Sequence, residues 1–271
     1  MVRPAAVGIA LCLFVLCVLS PRNSVAQNSS PSEITVAAAA DLTDALKEIA
    51  TEFEKKTGNR VRLVFGSSGN LASQIRNGAP FDVFLSADMD YPRSLAKDGL
   101  ADESTLAPYA TGTLAVLVRA GSNISIESRG LHALLDTSVK RVAIANPAHA
   151  PYGRAAESML KNAKLYDPLK SKLVVGENVA QATQFVLSGN AQAGIVSRSQ
   201  ALVASRGGAF RLWIPPSVYP PITQGAVVLS KSHKRDVASR FQQYLTGPEA
   251  ARILVQYGFA SPGNAGQQDE K

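Results

Sequence analysis

The residues best placed to do chemistry lie at four points where an apolar strand is predicted to end and a helix to begin. The first turn of a helix has N–H groups without an intrahelical acceptor and lies at the positive end of the helix dipole, so it attracts anions. Ser68 and Tyr152 add hydroxyl donors to two of the four points. The four points are Ala39-Ala40-Asp41, Ser67-Ser68-Gly69-Asn70, Pro151-Tyr152-Gly153 and Glu177-Asn178-Val179.

Together these turns predict a site for a small anion. A hydrogen bond from an N–H or O–H group to a charged oxygen contributes about 1.5–3 kcal/mol net, so several can replace the lost hydration without a buried arginine. One such turn alone predicts little, because most strand-to-helix turns in α/β proteins bind nothing. The prediction therefore depends on a fold that brings the four turns to one place.

Short apolar runs that alternate with amphipathic stretches are the elements that position these turns. The order β-α-β-α-β at the start predicts a parallel sheet with helices on both faces. Strands are predicted over 34–40, 60–65, 81–86, 112–118, 141–145, 173–175, 194–196 and 226–229. Helices are predicted over 41–56, up to residue 75 after the second turn, and over 152–163, 179–187, 236–245 and 248–257.

The fold class predicted is α/β, with two lobes of parallel-rich sheets flanked by helices and a cleft between them. The segments 107–112 and 215–221 are predicted to be extended connections between the lobes, and the second is rich in proline. We expect residues 27–110 and 223–265 to form lobe I, residues 111–222 to form lobe II, and residues 266–271 to be a flexible tail. A single large α/β domain is the alternative.

The first 26 residues have the pattern of a cleaved signal peptide, which predicts a periplasmic protein. Arg3 precedes an apolar run over 5–19, and Ser24-Val25-Ala26 offers small residues for cleavage. That run is short for a membrane span, which disfavours an uncleaved anchor. Cys12 and Cys17 leave with the segment, so the mature chain has no disulfide, thiolate nucleophile or zinc–cysteine site.

The composition disfavours nucleic acid as a partner and catalysis as a function. The net charge of +7 falls to +5 when Arg3 and Arg22 are removed, but the basic residues are scattered and aromatic residues make up only 6%. His132, His149 and His233 lack metal-ligand spacing, and no nucleophile motif accompanies them. We therefore predict that the protein is not an enzyme and has no cofactor. We also expect a monomer. A secreted α/β hydrolase is the alternative class.

Several motifs in order resemble the periplasmic molybdate-binding proteins of ABC importers, over nearly the whole mature chain. These motifs are ITVAAAADLTDAL (34–46), FGSSGNLASQI (65–75), GAPFDVFLSAD (78–88), NPAHAPYGRAA (146–156), GENVAQA (176–182), GIVSRS (194–199) and YLTGPEAARILVQYGF (244–259).

The resemblance implies a type II periplasmic binding fold whose lobes close by a hinge on a tetrahedral oxyanion. The ligand would be molybdate or tungstate, held as an oxyanion without direct protein–metal ligation and passed to the membrane permease of an ABC importer. A sulfate- or phosphate-type ligand is the alternative within this class. The residues that match the family's ligand positions are Asp41, Ser68, Tyr152, Val179 and Ser197.

Two of these positions depart from the family's best-known pattern. Ser197 stands where a tyrosine is frequent, and Tyr152 is expected to supply the phenol instead. Asp41 would repel a dianion, so we expect its side chain to turn away and cap the following helix while backbone N–H groups face the ligand. If Asp41 faced the pocket, the ligand would need a proton of its own, as hydrogen phosphate has and molybdate and sulfate lack.

Overall fold

The computed structural model describes residues 1–2, 31–119 and 121–263, and all side chains within them except that of Phe210. The predicted signal peptide, apart from its first two residues, and the predicted tail lie outside the described residues. Contacts between residues group the chain from Pro31 onward into one compact unit. Within the described residues, no helix is long and apolar enough to cross a membrane.

The described chain contains ten strands and ten α-helices. The strands are β1 (Glu33–Ala39), β2 (Arg60–Gly66), β3 (Val83–Ser86), β4 (Ala107–Gly112), β5 (Leu114–Val118), β6 (Val142–Ala145), β7 (Leu173–Gly176), β8 (Ala193–Ser197), β9 (Phe210–Trp213) and β10 (Ile222–Val228). The helices are α1 (Thr43–Thr57), α2 (Ser68–Arg76), α3 (Asp90–Lys97), α4 (Ile126–Arg129), α5 (Pro151–Asn162), α6 (Tyr166–Leu169), α7 (Val179–Leu187), α8 (Arg198–Ser205), α9 (Arg235–Leu245) and α10 (Pro248–Gln256). Short 3-10 turns cover Ala40–Leu42, Glu103–Thr105, Gly130–Leu135, Lys170–Lys172 and Pro216–Val218.

The strands form two five-stranded sheets of the same design. The first sheet has the order β2-β1-β3-β10-β4, in which β1 is parallel to β2 and β3 while β10 is antiparallel to β3 and β4. The second has the order β7-β6-β8-β5-β9, with β6 parallel to β7 and β8 and β5 antiparallel to β8 and β9. This arrangement confirms the predicted α/β class with parallel-rich sheets.

The chain passes between the sheets twice. It leaves the first sheet at the end of β4 and enters β5 two residues later, and it returns between the end of β9 and the start of β10. We refer to the sheet of β1 with its helices as lobe I, and to the sheet of β5 with its helices as lobe II. The cleft between them is where strand ends from both sheets meet.

The strands β1, β3 and β10 of the first sheet are buried on both faces, because their residues alternate between two hydrophobic clusters with the period of two that strands impose. Val36 and Ala38 pack in the cluster of α1, α9 and α10, whereas Ala37 packs on the opposite face with α2 and α3. In α1, Leu46, Ile49 and Phe53 recur at helical spacing and are fully buried. Such double burial holds the strand ends rigidly in place.

Three elements near the site were not predicted from the sequence. Helix α3 contains Pro92, and proline in a sequence usually argues against a helix. Proline is nevertheless tolerated in a first helical turn. Helix α8 follows β8 directly and begins at a polar SRSQ segment, and β9 precedes the proline-rich crossing. The segment 107–112 forms strand β4 in the first sheet, paired with β10, and the predicted strand over 112–118 begins at Leu114 as β5.

Candidate functional site

The carboxyl ends of strands from both lobes surround one small cavity. Its volume is about 10 Å³, far below the roughly 300–1,000 Å³ of pockets for drug-sized ligands. The only charged side chain among its lining residues is that of Asp41. All four predicted turns contribute to the lining, which consists of Ala39, Ala40, Asp41, Gly66, Ser67, Ser68, Ala87, Ala150, Pro151, Tyr152, Asn178 and Val179.

Ser68 presents a hydroxyl to this cavity from the first position of α2. The side chain is buried, and its Oγ accepts a hydrogen bond of 2.9 Å from the backbone N–H of Ala87. Because the oxygen is engaged as an acceptor, its rotation is restricted and its proton is available for a ligand. The neighbouring Ser67 hydroxyl lies 2.9 Å from Nδ1 of His149 in lobe II.

Val179 presents a backbone donor from the opposite lobe. It is the first residue of α7, where an N–H group has no intrahelical acceptor. The helix start is fixed by Asn178, whose side chain accepts a hydrogen bond of 3.1 Å from the N–H of Gln181. This cap holds the end of α7 against the cavity and places the positive end of its dipole there.

The phenol of Tyr152 enters the site from the start of α5 and reaches across to lobe I. Its Oη lies 3.2 Å from Nε2 of Gln224 in β10. A Cβ atom at Gly112 would lie 2.0 Å from Oη of Tyr152 and 2.9 Å from Nε2 of Gln224. Only glycine at position 112 leaves room for this contact.

Asp41 does not cap a helix, so the expectation that its side chain turns away is wrong. The N-cap residue of α1 is Leu42, without a side-chain hydrogen bond, because a 3-10 turn over Ala40–Leu42 precedes the helix. Asp41 is instead 2% exposed, and its Oδ2 accepts a hydrogen bond of 2.5 Å from Nε2 of Gln224. Its Oδ1 is buried and has no hydrogen-bond partner among the described residues.

A chain of hydrogen bonds fixes the orientation of the Gln224 amide that meets Asp41. The hydroxyl of Tyr109 donates to Oε1 of Gln224 at 2.6 Å, so Nε2 of Gln224 faces Asp41 as a donor. Nε2 of Gln224 also donates to the Tyr152 hydroxyl at 3.2 Å. Oδ2 of Asp41 is therefore held as an acceptor, whereas Oδ1 has a free coordination position.

Burial dominates the ionisation of this cluster. Desolvation raises the pKa of Asp41 from 3.8 to about 6, although the hydrogen bonds from Gln224 and Tyr152 work in the opposite direction. Burial, and then the negative charge of Asp41, raise the pKa of Tyr152 well above its usual value of 10. Tyr152 is consequently a hydroxyl donor at any physiological pH, while Asp41 changes charge slightly below neutrality.

The backbone of the first turn is oriented by α8. Nε2 of Gln200 donates to the carbonyl oxygen of Ala40 at 2.8 Å, and Oγ of Ser199 donates to that of Asp41, also at 2.8 Å. In a trans peptide the N–H group points opposite to the carbonyl. These two contacts to lobe II therefore turn the N–H groups of Asp41 and Leu42 away from α8.

Ser197 is not among the lining residues of the cavity. It is fully buried at the end of β8, where its Oγ lies 2.9 Å from Oγ of Ser199 and accepts from the N–H of Gln200 at 3.3 Å. In this structure Ser197 caps α8 and contacts one of the side chains that orient the first turn. The structure thus brings four of the five predicted ligand residues to the cavity.

Contacts across the cleft join the lobes around the cavity. The N–H of Gly69 donates to the carbonyl of His149 at 2.8 Å, and Nδ2 of Asn70 donates to Oε1 of Glu177 at 3.0 Å. The guanidinium of Arg154 in α5 pairs with Asp88 in lobe I. These contacts describe a closed arrangement in which both lobes line the same cavity.

Sequence reasoning missed the residues that hold Asp41 in place, namely Gln224 and Tyr109. The available clue was Gln224 itself, a long polar residue inside the mostly apolar strand ITQGAVV. A buried polar side chain in such a strand requires partners, but the sequence does not say which ones. Among residues 31–119 and 121–263, no group of three or more His, Cys, Asp or Glu side chains could hold a metal ion.

Comparison with known proteins places this geometry in context. Residues 34–260 match the sequence family described as bacterial extracellular solute-binding protein. The molybdate-binding protein ModA of Azotobacter vinelandii is 41% identical over 229 residues, which cover 84% of this chain and 90% of the relative.

Two solved structures are also similar to this one. The periplasmic molybdate-binding protein of Azotobacter vinelandii superposes with a TM-score of 0.78 at 31% identity, covering 84% of this chain and 99% of that one. The substrate-binding domain of a putative molybdenum ABC transporter from Clostridium difficile gives a TM-score of 0.64 at 29% identity, with 85% and 99% coverage.

Proposed function

Because this chain belongs to the family of bacterial extracellular solute-binding proteins, we propose that it captures molybdate in the cavity between its lobes. The observation that carries the proposal is the convergence of neutral donors from both lobes on one small cavity, with Ser68 from lobe I and Tyr152 and Val179 from lobe II. Similarity to molybdate-binding proteins over most of the chain supports the same ligand.

The geometry favours a tetrahedral oxyanion over other small ligands. The donors are hydroxyl and backbone N–H groups at strand-to-helix turns, where helix dipoles add positive potential. No lysine or arginine lines the cavity, so selectivity comes from the number and direction of neutral donors. Tungstate has the same charge and nearly the same size, and we propose that it binds as well.

Capture proceeds by hinge closure in this proposal. The two connections between the sheets let the lobes separate, and an anion that accepts donors from both lobes favours the closed arrangement. The hydrogen bonds at Gly69 and Asn70 then form around the occupied cavity. The ligand is expected to be enclosed by both lobes and released when they part.

The cellular role follows from the family and the predicted signal peptide. We propose that the mature chain works in the periplasm as a monomer and passes its ligand to the permease of an ABC importer. It needs no cofactor and performs no catalysis in this proposal, in which the polar groups of the cavity hold an anion. Relatives named for molybdate binding and molybdenum transport support this role.

Hydrogen phosphate is the second candidate ligand, and the inward Asp41 is the observation that favours it. An ionised carboxylate can accept the proton that hydrogen phosphate carries at neutral pH. Molybdate has no such proton, so the two candidates place different demands on Asp41. The two ligands are therefore distinguishable by direct competition.

The test of the proposed function is a thermal-shift and calorimetric comparison of molybdate, tungstate, sulfate and phosphate on the mature protein at pH 6 and pH 8. A ligand present at 100 times its Kd stabilises the folded state by about 2.7 kcal/mol. We expect this shift with molybdate and tungstate and weaker effects with sulfate and phosphate. No response to molybdate at either pH would contradict the proposal, and a stronger response to phosphate would favour the second candidate.

A further inference from the structure

A buried carboxyl group aimed at an anion site poses an electrostatic problem. A negative charge on Asp41 would lie beside a dianion in a cavity from which water is largely excluded, where repulsion is far stronger than in water. No arginine or lysine lines the cavity to offset that repulsion. Asp41 is nevertheless held inward by the hydrogen bond from Gln224 and cannot rotate to solvent without breaking it.

The hydrogen-bond pattern of Asp41 fits a carboxylic acid. Gln224 donates to Oδ2, so Oδ2 acts as an acceptor and Oδ1 is the oxygen left to carry a proton. Oδ1 is buried and lacks a partner among the described residues, so an unpaired charge there would be costly. A proton on Oδ1 removes the charge and converts the oxygen into one more donor for a ligand in the cavity.

We propose that Asp41 binds the oxyanion as a neutral carboxylic acid whose Oδ1–H donates to the ligand, so that capture of a dianion takes one proton from solvent into the site. The inference rests on the proposed function and adds the chemical state of the site. Asp41 then determines both affinity and its dependence on pH. The raised pKa of Asp41 means that this proton is acquired at little cost just below neutral pH.

Other ionisable groups surround Asp41 and have to be separated from it. Tyr152 of α5 and Tyr109 of β4 stay neutral because burial raises the pKa of both well above 10. Asp88, after β3, is paired with Arg154 of α5. His149 contacts Ser67 at the cavity edge. From α8, Ser199 and Gln200 contribute only neutral groups.

The experiment is isothermal titration calorimetry of molybdate binding between pH 6.5 and 8.5, in pairs of buffers with different ionisation enthalpies. The difference between buffers gives the number of protons taken up. For the wild type we expect an uptake approaching one proton at the upper end of the range. The Kd should rise about tenfold per pH unit there, as one linked proton requires.

Asp41→Asn supplies the decisive comparison, because an amide keeps an acceptor for Gln224 and a permanent donor toward the ligand. This variant should bind molybdate with no proton uptake from Asp41 and should bind about tenfold or more tightly than the wild type at pH 8. Any pH dependence that remains in it belongs to groups other than Asp41. Asp44→Asn, which removes an exposed carboxylate on α1, is the matched control and should keep the wild-type profile.

The outcomes separate this inference from the proposed function. A wild-type protein that binds molybdate with a pH-independent Kd and no proton uptake would overturn the inference and leave the function intact. The inference also fails if phosphate binds without proton uptake and Asp41→Asn abolishes that binding, since Asp41 would then be an acceptor. Failure of wild type and variant alike to bind molybdate at any pH would overturn the proposed function itself. The proton count is measured on the wild type, so the test stands even if the variant does not fold.

Discussion

At the scale of single residues, the cavity is lined by side chains whose oxygen atoms already accept a hydrogen bond from the protein. Ser68 accepts from the N–H of Ala87, and Asp41 accepts from Gln224. Each of these hydrogen bonds restricts the orientation of the side chain and therefore the direction of its O–H group. An incoming anion meets preorganised groups, and little rotational freedom is lost on binding. Substitutions at these two residues are therefore the most informative.

Removal of the Ser68 hydroxyl is expected to weaken molybdate binding. Ser68→Ala deletes one hydrogen bond to a charged oxygen, which is worth about 1.5–3 kcal/mol, or roughly 10- to 150-fold in Kd. Calorimetry on the mature protein measures the loss. Ser73→Ala, on the exposed side of the same helix, is the control and should bind like the wild type. Equal affinities for the two variants would remove Ser68 from the site.

The ligand-free protein should lose stability as pH rises because of Asp41. Its pKa is raised from 3.8 in the unfolded chain to about 6 in the folded one, so the folded state holds the proton more tightly. The stabilisation is complete below pH 4 and disappears as pH rises through 6 and above, for a total of about 2–3 kcal/mol.

Urea denaturation at pH 5 and pH 7.5 measures this effect. Asp41→Asn carries no titrating group and should be more stable than the wild type at pH 7.5 but not at low pH. A parallel pH dependence in wild type and variant would show that another group is responsible.

At the scale of elements, the recurring unit is a buried strand that runs directly into a helix. The sequence predicted these units well, since the apolar runs and helix starts around residues 39–41, 66–70, 150–153 and 177–179 all appear as strand ends followed by helices. The sequence did not predict side-chain orientations that depend on residues distant in the chain. The side chain of Asp41 accepts a hydrogen bond from the amide of Gln224, 183 residues away, and local capping preferences did not predict that contact.

Gly112 at the end of β4 is required because the side chain of Tyr152 from α5 lies directly against it. Gly112→Ala would place a Cβ atom 2.0 Å from the Tyr152 hydroxyl, forcing the phenol out of its contact with Gln224. We expect at least a tenfold loss of molybdate affinity, on the scale of one lost bond to a charged group, together with a lower melting temperature. Gly207→Ala is the control, because its nearest neighbour would lie at 3.4 Å and its backbone is not left-handed. Unchanged affinity in Gly112→Ala would show that Tyr152 is not needed for binding.

At the scale of the whole molecule, two lobes of the same topology meet at a cavity that neither could form alone. Lobe I supplies Ser68 and Asp41, lobe II supplies Tyr152 and Val179, and α8 of lobe II orients the backbone of the first turn of lobe I. The α/β class and the order of most strands and helices could be predicted from the sequence, because both follow from local patterns. The contacts across the cleft could not, since they depend on how the two sheets face each other.

Closure around the ligand predicts a change in molecular dimensions. Small-angle scattering of the mature protein should give a smaller radius of gyration with saturating molybdate than without it, because the ligand stabilises contacts between the lobes. Arg154→Ala removes a partly exposed ion pair with Asp88 across the cleft and should weaken binding only modestly, by about 0.2–1 kcal/mol. Identical scattering with and without ligand would contradict closure.

The place of β10 in the first sheet has a consequence for how the protein is made. β10 lies between β3 and β4, which do not pair with each other, although more than a hundred residues separate it from β4 along the chain. During synthesis the amino-terminal sheet is therefore left with a gap until nearly the whole polypeptide has emerged. The strands β5 to β9 are contiguous and can assemble first. We therefore expect lobe II to fold before lobe I, whose sheet is completed only after β10 has been synthesised.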